Sequence, residues 1–201
     1  MAPPRLRRCL RPSSELEWWT AIDRTAAGDN GRRRRGEGRA LQGGLFVALT
    51  VLAALGTGLM AGVFFAFSTF VMRALGRLPP PQAIAAMQAI NLAVITPAFL
   101  GPFLGTVAVS AVLAGLAVVG MAGNAAVHIV AGAVLYIVGT FGVTIVFNVP
   151  RNDALAAVDP AGGEAAASWA RYLREWTAWN HVRTAAALAA SAAFVLALAR
   201  G

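Results

Sequence analysis

Long apolar stretches dominate the hydropathy pattern after residue 44. The segments 45–72, 97–121 and 125–149 contain no Asp, Glu, Lys or Arg, whereas the fourth apolar run, 184–199, has only 16 residues. A helix needs about 20 mostly apolar residues to cross a bilayer, so the fourth helix must begin upstream of Thr184. The pattern predicts four antiparallel membrane helices near 45–72, 97–121, 125–148 and 180–199.

Two further helical segments precede the second and fourth runs. "PPPQAIAAMQAIN" begins with prolines, which suit a helix start, and is expected to continue into the second run with a kink at Pro97 or Pro102. After the turn signal "DPAGG", helical spacing starts at Glu164. One stripe at steps of three and four then holds Trp169, Tyr172, Trp176, Trp179 and Arg183.

Composition supports the membrane interpretation. Hydrophobic residues make up 58% of the 201, charged residues only 13%, and the mean hydropathy is +0.64. Soluble domains carry roughly 25% charged residues. The expected fold class is therefore all-α, an integral membrane four-helix bundle, and the expected location is the cell membrane with multiple passes.

Residues 1–40 differ from the rest of the chain. They hold ten arginines and five acidic residues without helical or strand periodicity, so we expect a disordered basic arm ahead of a four-span membrane domain at 41–201. Basic runs beside a membrane segment usually set topology or bind lipid headgroups. That interpretation is favoured over nucleic-acid binding, and membrane lipids are the expected partners.

Membrane orientation has two conflicting indications. Five arginines at 32–39 favour a cytoplasmic N-terminus. If translation starts downstream of the arm, the arginines after the first run and beside the fourth favour a cytoplasmic location for the opposite end of the bundle. The second arrangement is the one we expect.

Metal binding is not expected from the residues. Cys9 is the only cysteine and lies in the arm. His128 and His181 are near the starts of antiparallel helices, so they should lie at opposite membrane faces, about 30 Å apart. The membrane runs contain no Asp or Glu to complete a ligand set, and no metal or other cofactor is predicted.

In four antiparallel helices, the ends of the first and third runs lie at the same membrane face as the starts of the second and fourth. Most polar residues lie at that face. Polar groups at membrane depth are costly unless paired, and they usually face a bundle interior or a cavity. We therefore expect a pocket open to that face. Its end of the bundle contains Ser68, Thr69, Arg73, Gln88, Asn91, Thr96, Thr144, Asn148, Asn152, Trp176, Asn180, His181 and Arg183.

Each of these residues also has an ordinary structural explanation. Interfacial Trp residues form membrane belts, and arginines reach toward headgroups. Gly58 with Gly62, and Gly101 with Gly105, match the small-xxx-small spacing of close helix contacts, which would serve folding or dimerisation equally. A homo-oligomer is left open.

Five segments, in order, resemble the anthrone oxygenase-like family of small four-helix membrane proteins. They are "GVFFAFSTFVMRAL", "MQAIN", "TPAFLGPFLGT", "VTIVFNVPRNDAL" and "WTAWNHVRT", and the similarity covers about residues 45–197. The resemblance implies oxidation of a polycyclic anthrone or phenol by O₂ without a bound metal or flavin.

This chemistry needs a base and donors that hold an anion. His181 is the candidate base, with Asn180 and Arg183 as the other catalytic candidates, because histidine is the usual proton acceptor near neutral pH. The candidate substrate-binding residues are Asn91, Asn148, Asn152, Trp176 and Trp179. The alternative is a non-catalytic membrane protein, an assembly partner or a carrier of small hydrophobic molecules, whose polar cluster only stabilises the bundle.

Overall fold

The structure is a computed structural model that describes the backbone of residues 14–200, with side chains described at 36, 38 and 42–200. The described residues form helices joined by short turns and contain no strand. Its helices are α1 (Ser14–Ala66), α2 (Met72–Leu75), α3 (Pro80–Ala93), α4 (Pro97–Val118), α5 (Ala126–Val134), α6 (Val149–Ala156) and α7 (Ala165–Leu198).

Four continuous helical stretches are long and apolar enough to cross a membrane. They are span one (Gln42–Leu75), span two (Pro97–Val118), span three (Gly123–Ala156) and span four (Ala165–Leu198). The prediction of an all-α, multi-pass membrane fold is confirmed. Spans one, three and four have 34 residues each, so each extends about 51 Å and exceeds the hydrocarbon core of about 30 Å.

The chain separates into two units, Met1–Leu45 and Phe46–Gly201. Residues 1–13 of the expected arm, and most of its side chains, lie outside the described residues. The described backbone is already helical from Ser14, where α1 begins. The arm's expected disorder stays a prediction, and everything below concerns the second unit.

The helix before span two does not continue into it, contrary to the sequence-based expectation. α3 ends at Ala93, Thr96 is extended with φ −130° and ψ 152°, and α4 starts at Pro97. A proline disfavours helical geometry in the residue before it, which explains a full break rather than a kink. α3 therefore packs as a separate cap, with Ile84 and Met87 buried against Trp169 and Tyr172 of α7.

Glycines bring neighbouring spans close, but at other positions than the small-xxx-small pairs. A β-carbon at Gly139 would lie 2.7 Å from the β-carbon of Ala186, and one at Gly56 would overlap Thr106. A β-carbon at Gly62, Gly101 or Gly105 would meet nothing within 4 Å. Of the two predicted pairs, only Gly58 faces a neighbour, Ser191.

Three π-helical segments interrupt spans one and three. They are Phe67–Val71, Leu135–Gly142 and Thr144–Asn148. The last one ends two residues before Pro150, which has no N–H to donate to the carbonyl one turn earlier. Such wide turns are frequent at functional sites, because they displace side chains and free backbone carbonyls.

Candidate functional site

A cavity of about 530 Å³ lies between the cap helix α3 and the ends of the four spans. Small-molecule sites are commonly about 300–1,000 Å³, mostly apolar, with few polar groups. Both features hold here. The aromatic side chains of its wall are Phe64, Phe67, Phe99, Phe103, Phe141 and Trp176.

The aromatic wall is packed in pairs that define its shape. Phe103 stacks on Phe99 at a centroid distance of 5.8 Å and meets Phe64 edge-on at 6.4 Å. Phe67 lies against Trp176 at 5.7 Å. Flat faces and ring edges of this kind favour a planar aromatic guest.

Arg183 places a cation in this mostly apolar cavity. The residue is 6% exposed, and its guanidinium carbon lies 4.1 Å from the ring centroid of Phe64 and 4.8 Å from that of Trp176. No carboxylate of the described residues forms a salt bridge with it. A buried charge is costly unless it is paired, and two aromatic faces compensate only part of that cost. The site is therefore suited to an anion.

Asn180 fixes the direction of this guanidinium. Its Oδ1 accepts a 2.7 Å hydrogen bond from Arg183 Nε, while its Nδ2 donates to the Phe64 carbonyl at 2.8 Å and to Ser68 Oγ at 2.7 Å. Ser68 lies in the π-helical turn of span one and is also hydrogen-bonded to Thr184. Asn180 thus ties α7 to span one, while Arg183 Nη1 donates a 3.4 Å hydrogen bond to Thr144 Oγ1 on the cavity wall.

Other polar groups line the cavity on the side of the cap. Gln88 donates to the carbonyls of Leu155 and Val158, which holds α3 onto the end of span three. Asn152 Oδ1 accepts a 2.9 Å hydrogen bond from the hydroxyl of Tyr172. Asn91 lines the cavity, and its Nδ2 is buried without a hydrogen-bond partner among the described residues.

Asp153 is the carboxylate on the wall of this cavity, and sequence reasoning overlooked it. Asp153 is exposed, whereas Arg183 is buried. The carboxylate of Asp153 therefore lies in the open part of the site, and the guanidinium of Arg183 lies in its deep part. The signal was present in the segment "NVPRNDAL", but only the asparagines of that segment were selected. Asp153 follows Asn152 and can accept a proton at the mouth.

His181 is not part of this cavity, contrary to the expected convergence. It is exposed and lines a second cavity of about 520 Å³ on another face of the bundle. Residues two apart in a helix point about 200° away from each other, whereas residues three apart differ by about 60°. Asn180 and Arg183 therefore share a face, and His181 lies on the opposite one.

The remaining predicted site residues divide between the cavity and its support. Asn91, Asn152, Trp176 and Arg183 line the cavity. Asn148 is buried behind it, and its Nδ2 donates to the Trp176 carbonyl at 3.3 Å. Trp179 stacks on Phe147 at 3.5 Å and is not a wall residue.

Comparison with known families finds a match within the membrane domain. The family model described as Anthrone oxygenase matches residues 96–193, which contain spans two and three and most of span four. No curated protein and no solved structure matches the chain. This match supports an anthrone oxygenase-like family, as the sequence resemblance predicted.

Proposed function

We propose that this membrane protein oxidises a polycyclic anthrone or phenol with O₂ at the cavity around Arg183, in the cell membrane. The observation that carries the proposal is a buried guanidinium without a carboxylate partner among the described residues, set in an aromatic cavity. An anthrone that loses a proton becomes a flat anion with its charge largely on oxygen. Such an anion complements the positive charge of Arg183, and its flat shape suits the aromatic cavity.

Stabilisation of this anion is the main contribution of the protein. Arg183 would donate to the developing oxyanion, and Asn91 lines the same cavity. Donors held in place within a poorly hydrated site stabilise developing charge much better than water does. Asn180 would act as a positioning residue, because it touches the guanidinium and not the cavity.

The oxidation itself requires no group beyond the substrate and O₂. The anthrone CH₂ first loses a proton, and the resulting anion transfers one electron to O₂, which gives a carbon radical and superoxide. These combine into a C–O bond, and the peroxide takes up a proton. Loss of water from the hydroperoxide leaves the quinone carbonyl, so one anthrone and one O₂ yield one anthraquinone and one H₂O.

Asp153 is the proton acceptor that we assign to the first step. The carbonyl and CH₂ of an anthrone lie at opposite edges of its central ring, so the donor and the base must approach from different sides. Arg183 in the buried part of the cavity and Asp153 at its exposed part meet this condition. His181, the base expected from the sequence, would have to act from the second cavity.

Reconstituted protein provides the test. O₂ consumption and anthraquinone formation are followed with a panel of anthrones, using wild type and Arg183→Gln at equal level and with equal thermal stability. We expect consumption above the uncatalysed rate, in one-to-one ratio with quinone, and its loss in the variant. Saturable anthrone binding without O₂ consumption would reject catalysis in favour of the carrier alternative.

A further inference from the structure

The second cavity is a basic groove, defined here by Arg73, Arg77, Arg174 and His181. Its volume is about 520 Å³, and it lies between the end of span one and the polar first half of α7. Arg73 lies in α2 and Arg77 in the turn that follows it, and both line one side of the groove. Arg174 and His181 are seven residues apart in α7, so they share the facing side. Two walls therefore direct basic side chains into a common space.

The groove contains no acidic side chain. The described salt bridge of α7, Arg151 with Glu175, joins α7 to span three and involves none of the groove residues. Like charges that converge without a counter-charge repel each other, which leaves this space favourable for an anion. A single arginine can bind a phosphate group through two parallel hydrogen bonds. Its planar guanidinium therefore matches phosphate better than the point charge of a lysine does.

An uncharged polar residue lies on the groove wall that α7 forms. Thr177 is one turn from both Arg174 and His181, and it lines the groove. Its Oγ1 is buried and has no hydrogen-bond partner among the described residues. Thr177 is therefore a polar residue of the groove wall rather than an exposed donor.

The groove lies at the level of the lipid headgroups. The apolar part of span one ends at Met72, next to Arg73, and the apolar run of α7 starts at Thr184, three residues after His181. Spans one and four are about 20 Å longer than the hydrocarbon core, so their polar ends project into the interface. Basic pockets between membrane helices at this depth are typical headgroup sites.

We propose that the basic groove binds the phosphate group of an anionic ligand, either a phospholipid headgroup or a soluble phosphate. The site is separate from the cavity of Arg183 and does not depend on the proposed oxidation. Arg77 and Arg174 supply one guanidinium from each wall.

The full-length protein in a neutral detergent is titrated with dioleoyl phosphatidylglycerol, dioleoyl phosphatidylcholine and inorganic phosphate, and bound ligand is counted by native mass spectrometry. We expect one saturable site that prefers phosphatidylglycerol to phosphatidylcholine. The Arg77→Gln/Arg174→Gln variant should bind at least tenfold more weakly. The control Arg171→Gln/Arg200→Gln has the same net charge, changes two exposed arginines outside the groove and should bind like wild type.

Competition between the ligands distinguishes the two sources of phosphate. Phosphatidylglycerol binding that inorganic phosphate does not displace assigns the site to a lipid headgroup, and displacement at millimolar phosphate assigns it to a soluble ligand. If the glutamine variant does not fold, Arg77→Lys/Arg174→Lys retains the charge and should still lose severalfold in affinity. Equal weakening in the control pair, or no saturable binding of any of the three ligands, would overturn the proposal.

Discussion

Arg183 Nε donates a 2.7 Å hydrogen bond to Asn180 Oδ1, one turn earlier in α7. Asn180 is fully buried, and its amide nitrogen donates to two acceptors of span one. This network fixes which end of the Asn180 amide carries the oxygen, since only an oxygen can accept from a guanidinium. The position of the cation in the cavity is thus determined by a contact between two membrane helices.

Replacing Asn180 by alanine should destabilise the bundle. The change leaves the Phe64 carbonyl and Arg183 Nε without their present partners, at a cost of about 1–3 kcal/mol. Thermal unfolding in detergent measures the loss. Asn124→Ala, at an exposed asparagine of the opposite face, is the matched control and should stay within about 0.5 kcal/mol of wild type. Equal effects of the two changes would contradict the structural role of Asn180.

Arg183→Gln should weaken the binding of anionic aromatic ligands far more than that of neutral ones. Removing the charge from one partner of a buried ionic contact typically costs about 2–5 kcal/mol. A hydroxyanthraquinone titrated in its phenolate and its phenol form separates the two effects by fluorescence quenching of the cavity tryptophan. Equal loss for both forms would show that Arg183 only shapes the cavity.

Comparison of Asp153→Asn with His181→Gln tests which residue takes the substrate proton. Because Asp153 lies on the wall of the aromatic cavity and His181 lines the basic groove, the loss of turnover should be larger for Asp153→Asn. A general base contributes typically about 10²–10⁴-fold to the rate. Single-turnover rates of anthrone deprotonation provide the measurement. A larger loss of turnover in His181→Gln would show that His181, and not Asp153, takes the substrate proton.

Gly139→Ala should destabilise the protein, whereas Gly62→Ala should not. The added carbon at Gly139 would lie 2.7 Å from Ala186, while at Gly62 it meets nothing within 4 Å. Overpacking costs about 1–3 kcal/mol, and a helical glycine-to-alanine change by itself gains about 0.5–1 kcal/mol. Unfolding temperatures of the two variants should therefore move in opposite directions. A higher unfolding temperature for Gly139→Ala would show that spans three and four are not in close contact there.

Much of the fold follows from local sequence. Apolar run lengths identify four membrane helices, because the thickness of the bilayer sets how many residues must be apolar. The steps of three and four that join Trp169, Tyr172, Trp176 and Arg183 also place these side chains on one face of α7, and all four are buried. Parity along the chain likewise indicates at which membrane face Asn91, Asn152 and Arg183 meet.

What only the tertiary structure decided is which of these polar residues share a cavity. His181 is adjacent to Asn180 in the sequence but lines the same groove as Arg77 in space, because the 100° step of a helix separates sequence neighbours. The break at Thr96, the π-helical turns and the close contact at Gly139 set how the spans pack, and no hydropathy pattern encodes them. The aromatic cavity and the basic groove arise from that packing, since each is built from side chains of different helices.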